Sequence, residues 1–72
     1  MPGYDKGTAV QWKWGNGTAR GKIQKIYTRE VTRTLQGTEV TRDASRDEPA
    51  YLIEQSDGAE VLKSHSEVQK AA

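Results

Sequence analysis

Hydrophobic and polar residues alternate along much of the chain with the two-residue period of β-strands. In the first such segment Val10, Trp12 and Trp14 alternate with polar or small residues. This pattern predicts a strand with one buried face, because successive side chains of a strand point to opposite sides. The Gly-Asn-Gly sequence of residues 15–17 follows and predicts a tight turn into a second strand.

The second alternating segment begins at Thr18 and changes its parity at Ile26. A β-bulge near residues 24–25 would return Ile26 to the buried face, because a bulge inserts one extra residue and bends the strand. Strongly bent strands allow a small sheet to close into a barrel. The sequence therefore predicts a bulged and bent second strand.

The middle of the chain predicts a β-hairpin followed by a loop. Residues 28–42 are rich in Thr and Val, with Gly37 between two similar halves. Thr and Val favour strands, and glycine favours the turn that joins them. Residues 43–49 are polar and include a proline, which predicts a surface loop.

The last third predicts two more strands and a helical turn. Residues 51–53 and 59–63 are the strand segments, separated by a Ser-Asp-Gly turn. Ser64 and Glu67 then have the three-residue spacing of a capping box. That spacing predicts a short helical turn over residues 65–70.

Together these elements predict an all-β fold, a small five-stranded SH3-like barrel with a short C-terminal helical turn. An OB-fold is the alternative, although it usually needs more residues and a central helix. We expect residues 6–68 to form the barrel, 1–5 a flexible N-terminal tail and 69–72 a frayed C-terminus. The predicted core consists of Val10, Trp12, Ile23, Ile26, Val40, Ile53 and Val61.

Composition narrows the function classes. The chain has 72 residues, 33% of them hydrophobic, and no cysteine. One small core supplies too few residues to line a large enclosed active site. The lack of cysteine excludes disulfides and thiol chemistry. We expect a cytoplasmic protein, since neither a signal peptide nor a membrane span is recognisable in the sequence. Nothing indicates a membrane partner, and a monomer is favoured.

Catalysis has little support in the sequence. The single histidine, His65, lies between Ser64 and Ser66. Adjacent residues on a helical turn do not face each other, and no acid is placed to orient the ring. The carboxylates lie in loops and turns without ligand spacing. We therefore expect no enzyme activity, no metal and no cofactor.

Several segments together are similar to a known family. They are residues 6–15 (KGTAVQWKWG), 18–23 (TARGKI), 37–42 (GTEVTR) and 49–67, which contains PAYLIE, DG and VLKSHSE. In this order and spacing the chain resembles the hypervirulence-associated Tudor-like domain family, formerly a domain of unknown function, over roughly residues 5–68. The resemblance implies a Tudor-like SH3 barrel. Most members are small bacterial proteins without a defined role.

Charge is unevenly distributed along the chain. Residues 1–34 carry a formal charge of +5 and residues 35–72 a charge of −4. Lys13, Arg20 and Lys22 fall on the outward face of the first two predicted strands, with Trp14 at the edge of the patch. Basic side chains beside an aromatic ring are typical of surfaces that bind nucleic acid.

Aromatic residues supply a second class of site. Tudor-like domains often hold a methylated Lys or Arg in an aromatic cage, and Trp14 and Tyr51 lie at strand ends where such a cage would form. The predicted ligand-binding residues are therefore Lys13, Trp14, Arg20, Lys22 and Tyr51. We expect a binding module for nucleic acid or another anionic ligand such as a nucleotide cofactor. The alternative is a protein-interaction module that uses an aromatic groove or an exposed strand edge.

Overall fold

The computed structural model describes residues 3–71 and is all-β there. Met1 and Pro2 of the predicted tail, and Ala72 of the predicted frayed end, lie outside these residues. The elements in chain order are β1 (Ala9–Trp14), β2 (Gly17–Tyr27), β3 (Val31–Leu35), β4 (Thr38–Arg42), β5 (Ala50–Gln55), β6 (Glu60–Ser64), a 3-10 turn (His65–Glu67) and β7 (Gln69–Lys70).

The strands form two antiparallel sheets. The main sheet has five strands in the order β6-β5-β2-β1-β7, and β3 pairs only with β4. The hairpin β3–β4 contacts β6, but in the described residues the two sheets share no strand pairing and do not close into a barrel. The predicted all-β class is confirmed.

The strand count and the C-terminus differ from the prediction. The structure has seven strands, because residues 28–42 supply two that stay outside the main sheet. The fifth strand of that sheet is β7, which pairs with β1 through Val10 and Gln11. Residues 69–70 were expected to fray, yet they form an edge strand. The predicted helical turn is present but ends at Glu67.

The predicted bulge is present in β2 between Ile23 and Lys25. It places Ile26 opposite Tyr51 of β5, and residues directly opposite in an antiparallel pair share a face. Ile26 therefore points to the core side as expected, but its side chain remains 41% exposed. The prediction that Ile26 is buried was wrong, because Ile26 lies where the sheet is incompletely covered.

The core lies against the centre of β5. Residues 50–53 are all buried, and Ile53 and Tyr51 are 0% exposed. The main cluster also contains Val10, Trp12, Ile23 and Val68. Four of the seven predicted core residues are confirmed as buried, whereas Val40 and Val61 are half-buried.

Close packing of β2 on β5 requires a glycine at position 21. A Cβ atom added to Gly21 would lie 2.6 Å from the carbonyl oxygen of Glu54 and 2.6 Å from Cγ2 of Ile53. Gly21 also pairs with Val10 of β1. Its missing side chain therefore lets three strands approach one another at the point where the core is densest.

We expect Ile53→Ala to lower the free energy of unfolding by about 2–5 kcal/mol, the usual cost of truncating a packed core residue. Ile26→Ala is the matched control and should cost about 1 kcal/mol or less, because its side chain is already partly solvated. Urea denaturation of both variants measures the difference. Equal losses at the two positions would contradict the burial assigned to β5.

Candidate functional site

The β1–β2 hairpin positions most of the predicted site residues. Its tip is a two-residue turn, Gly15-Asn16, closed by the pairing of Trp14 with Gly17. Gly15 has a φ of 56°, which suits the first central position of a type II′ hairpin turn. The turn sets the register of the two strands and therefore decides which side chains share a face.

Three cations project from one face of this hairpin. Arg20 pairs with Gln11, Lys22 with Ala9, and Lys13 with Thr18. Because side chains alternate along a strand, Lys13, Arg20 and Lys22 lie on the same face. All three are exposed, and within residues 3–71 none of them forms an ion pair. The predicted grouping of these residues therefore agrees with the strand register. We call this surface the basic face.

One acid borders the basic face. Lys22 pairs with Glu54 of β5, so the two side chains share a face. The Glu54 carboxylate also accepts a long hydrogen bond, 3.5 Å, from Nε2 of Gln24. Glu54 therefore lies beside Lys22, whereas Lys13 and Arg20 lie nearer the tip of the hairpin.

The sequence analysis placed Trp14 at the edge of the basic face, and this prediction was wrong. Trp14 has the same parity as the buried residues Val10 and Trp12 and therefore points to the other face of the hairpin. There it is 73% exposed, because β1 extends past the core at this end. The cations and the exposed aromatic ring thus belong to two different surfaces.

Trp14 lines a cleft of about 310 Å³ between β1, the β3–β4 hairpin and β6. Its apolar lining includes Trp12, Leu35, Val40, Val61 and Leu62, and its charged lining includes Arg42, Glu60 and Lys63. The Nζ of Lys63 lies 6.0 Å from the ring centroid of Trp12, at the outer limit of a cation–π contact. We call this feature the Trp14 cleft.

The sequence analysis missed the residues that the hairpin contributes to this cleft. Leu35 and Val40 line the cleft and are half-buried while their neighbours along β3 and β4 are exposed, although Val40 was predicted only as a core residue. The alternation of Val and Leu with Thr was the available signal, since it marks one side of the hairpin as a packing face. Which surface this side would cover is decided only by the tertiary structure.

Hydrogen bonds hold the β3–β4 hairpin in place over the cleft. Nε of Arg42 donates to Oε1 of Glu67 at 2.9 Å, and the backbone N–H of Ser64 donates to the same oxygen at 2.7 Å. From the middle of β3, Nη1 of Arg33 donates to the hydroxyl of Tyr27 at 3.0 Å. The helical turn after β6 therefore anchors one wall of the cleft.

The environment of Glu67 lowers the pKa of its carboxyl group. Partial burial acts to raise its pKa, but the hydrogen bonds from the Ser64 backbone and the Arg42 guanidinium outweigh burial and hold the pKa below its usual value. Because both donors favour the charged form, Glu67 links the hairpin to the turn most strongly when it is ionised.

Tyr51 is the one predicted site residue that a ligand cannot reach in this structure. Its side chain is fully buried, and its hydroxyl contacts His65 and the backbone of Tyr4. Its position at the start of β5, taken from the sequence as an exposed strand end, is covered by the N-terminal segment. Tyr51 and Trp14 therefore cannot form one aromatic cage.

Between residues 3 and 71, no group of three or more His, Asp or Glu side chains is placed to hold a metal ion. In the same part of the chain, no helix is long and apolar enough to cross a membrane.

A family model described as the Tudor domain of hypervirulence associated proteins matches residues 7–68, nearly the whole chain. The chain belongs to this Tudor-domain family. The matched region runs from just before β1 to the residue after the 3-10 turn and so contains the basic face and every lining residue of the Trp14 cleft. No curated protein and no solved structure matches the chain.

We expect Glu67→Gln to destabilise this Tudor domain at pH 7 and to have little effect in acid. A carboxyl whose pKa is lowered by folding stabilises the native state above its ordinary value of about 4.3, and this contribution disappears as the pH falls through the lowered pKa. Denaturation midpoints of both proteins between pH 7 and pH 3 measure the effect.

Glu39→Gln is the matched control for this experiment. Glu39 is an exposed residue of β4. Its substitution also removes one negative charge but leaves the 3-10 turn and its hydrogen bonds unchanged. Its effect at pH 7 should be smaller than that of Glu67→Gln, because isolated surface charges contribute little. An undiminished loss for Glu67→Gln at pH 3 would contradict a role for the ionised carboxylate.

Proposed function

We propose that this domain is a non-enzymatic binding module for nucleic acid or another anionic ligand such as a nucleotide, which contacts the basic face. The observation that carries the proposal is the strand register of β1 and β2. It presents Lys13, Arg20 and Lys22 together on one face, without a carboxylate partner in an ion pair within the described residues. Tudor domains are generally binding modules, which supports a binding role over catalysis.

Phosphate groups fit this surface for a physical reason. Lys and Arg that contact a nucleic-acid backbone displace condensed counterions, and this release supplies much of the affinity. The strands already fix the backbone of the three cationic residues. Binding therefore costs only the conformational entropy of their side-chain rotamers. Arg20 adds a planar guanidinium that can donate two parallel hydrogen bonds to one phosphate.

We also propose that the domain is a variant of the five-stranded Tudor-like SH3 barrel. The meander β1-β2-β5-β6, the 3-10 turn and the return of β7 to pair with β1 support this architecture. The bulge in β2 supplies the bend that such barrels need. In this view the β3–β4 hairpin is an extension of the connection between β2 and β5. The lack of cysteine supports a reducing, cytoplasmic location.

The proposed anion site has a direct test in the salt dependence of binding. A fluorescent single-stranded oligonucleotide should bind with a slope of log K against log salt of about −2, from roughly 0.7 per phosphate contact for three contacts. Replacing Lys13, Arg20 and Lys22 by Gln should abolish most of this slope and leave the fold intact, since exposed charges add little to stability.

A second triple variant separates the basic face from net charge. Arg29, Arg46 and Lys70 are exposed cations outside the basic face, and their replacement by Gln changes the net charge by the same amount. This control should keep most of the slope. Equal effects of the two triple variants, or no binding to any polyanion at low salt, would contradict the proposal.

A second candidate function rests on the Trp14 cleft. An indole ring that is 73% exposed beside a partly apolar cleft is typical of a surface that a protein partner covers, because such rings dominate interface energetics. The open edge of β6 borders the same cleft and could pair with an extended segment of the partner. In this case the domain is a protein-interaction module.

The Trp14→Ala variant distinguishes the two functions. If the domain is a protein-interaction module, this variant should lose affinity for the partner by about 2 kcal/mol or more, as at an aromatic hot spot. It should keep the salt slope for the oligonucleotide, since Trp14 points away from the basic face. Isothermal titration with each ligand measures both quantities. Loss of oligonucleotide affinity with no effect on protein binding would contradict the assignment of Trp14 to a protein-binding cleft.

A further inference from the structure

A hydrogen-bonded cluster joins the N-terminal segment to the core far from the hairpin tip. The backbone N–H of Tyr4 donates to the hydroxyl of Tyr51 at 2.9 Å, and that hydroxyl lies 2.8 Å from Nδ1 of His65. The ring of Tyr4 also lies against the imidazole, with 5.0 Å between ring centroids. The backbone N–H of His65 donates to the carbonyl of Pro49 at 2.8 Å, which holds the histidine in place.

Counting protons in this cluster assigns the state of His65. The Tyr51 hydroxyl accepts the Tyr4 N–H and carries one proton of its own, which must find an acceptor because the side chain is buried. The hydroxyl keeps that proton, since burial raises the pKa of Tyr51. Nδ1 of His65 is the acceptor at hydrogen-bond distance. His65 is therefore neutral here, with its proton on Nε2.

Protonation of His65 is incompatible with this arrangement. An imidazolium is a donor at both nitrogens, so Nδ1–H would donate to the Tyr51 hydroxyl. The hydroxyl would then face two donors, Nδ1–H and the Tyr4 N–H, and its own proton would be buried without an acceptor. The conflict is relieved when the hydroxyl turns or when Tyr4 releases its hydrogen bond.

The contacts of the segment before β1 with the cluster are separate from the hydrogen bonds that hold the rest of the chain. Gly3 has a φ of 107°, and a Cβ atom there would lie 3.2 Å from both Pro49 Cγ and the Tyr51 hydroxyl. The segment therefore passes close over the cluster. From Asp5 onward other bonds hold the chain, such as Thr8 N–H to Asp5 C=O at 3.1 Å and Gly7 N–H to Ile23 C=O at 2.8 Å.

We propose that Gly3–Tyr4 is a latch that docks on neutral His65 and is released when His65 is protonated. Docking requires the unprotonated Nδ1, so protonation of His65 at lower pH weakens it. Charged or titratable groups beside the cluster are Tyr4 from the latch, Glu48 from the loop before β5 and Lys63 of β6, which pairs with Tyr51.

Release of the latch changes the surface beside it. Gly3, Tyr4 and Asp5 form one part of a groove of about 550 Å³ whose lining also includes Ile26 and Pro49. When the latch leaves, this groove loses the Tyr4 ring, and the edge of the Tyr51–His65 pair becomes accessible. Protonation of His65 therefore changes the lining of this groove. The basic face takes no part in this change.

NMR measurements on the labelled protein test the latch. At pH 8 the ring nitrogens of His65 should show the Nε2–H tautomer. On protonation of His65 the protection of the Tyr4 amide against hydrogen exchange, corrected for intrinsic rates, should fall about tenfold, a factor in the range expected for one orphaned buried donor. The Ile23 amide, which donates to Thr8 inside the sheet region, should keep its protection.

Tyr51→Phe removes the hydroxyl and should leave the Tyr4 amide unprotected at every pH. Tyr27→Phe is the matched control, because its hydroxyl accepts from Arg33 instead, and it should behave as the parent. An Nδ1–H tautomer at pH 8, or Tyr4 protection that does not change with pH, would overturn the proposal. Both readouts come from the parent protein, so they decide the matter even if Tyr51→Phe does not fold.

Discussion

Burial of β5 between β2 and β6 is the constraint on which the rest of this domain depends. Four consecutive residues, 50–53, are buried, so this strand is covered on both faces. Pairing with β2 places Ile53 against Ile23, and Gly21 allows the strands to come close enough for the core to pack. In a domain of this size, few other contacts could replace that packing.

The functional surfaces follow from the same sheet through the alternation of side chains. Along β1, Trp12 and Trp14 point to one side and Lys13 to the other. The basic face and the Trp14 cleft therefore lie on opposite faces of one hairpin and would bind different ligands. The Arg42–Glu67 pair then sets the outer wall of the cleft, and the latch over Tyr51 lies elsewhere. Three surfaces of different chemistry are thus attached to one small core.

Local patterns in the sequence were sufficient where the physical cause is local. Period-two alternation predicted β1 and β2, the change of parity at Ile26 predicted the bulge, and the Ser64–Glu67 spacing predicted the helical turn. The grouping of Lys13, Arg20 and Lys22 also follows from alternation and the hairpin turn alone. These features depend on residues close in sequence, and strand parity is a strict geometric rule.

Other features depend on contacts between distant residues, which no local pattern contains. Whether Tyr51 is core or surface is decided by Tyr4, which is 47 positions away and lies over it, and the strand at residues 69–70 exists because β1 offers an open edge. Ile26 has the parity of a core residue yet remains 41% exposed, because it lines an open groove beside Tyr4 and Pro49. The sequence by itself determined the strands other than β7, their faces and the basic face, because these follow from backbone periodicity. Only the tertiary structure decided what covers each face, because cover comes from segments far along the chain.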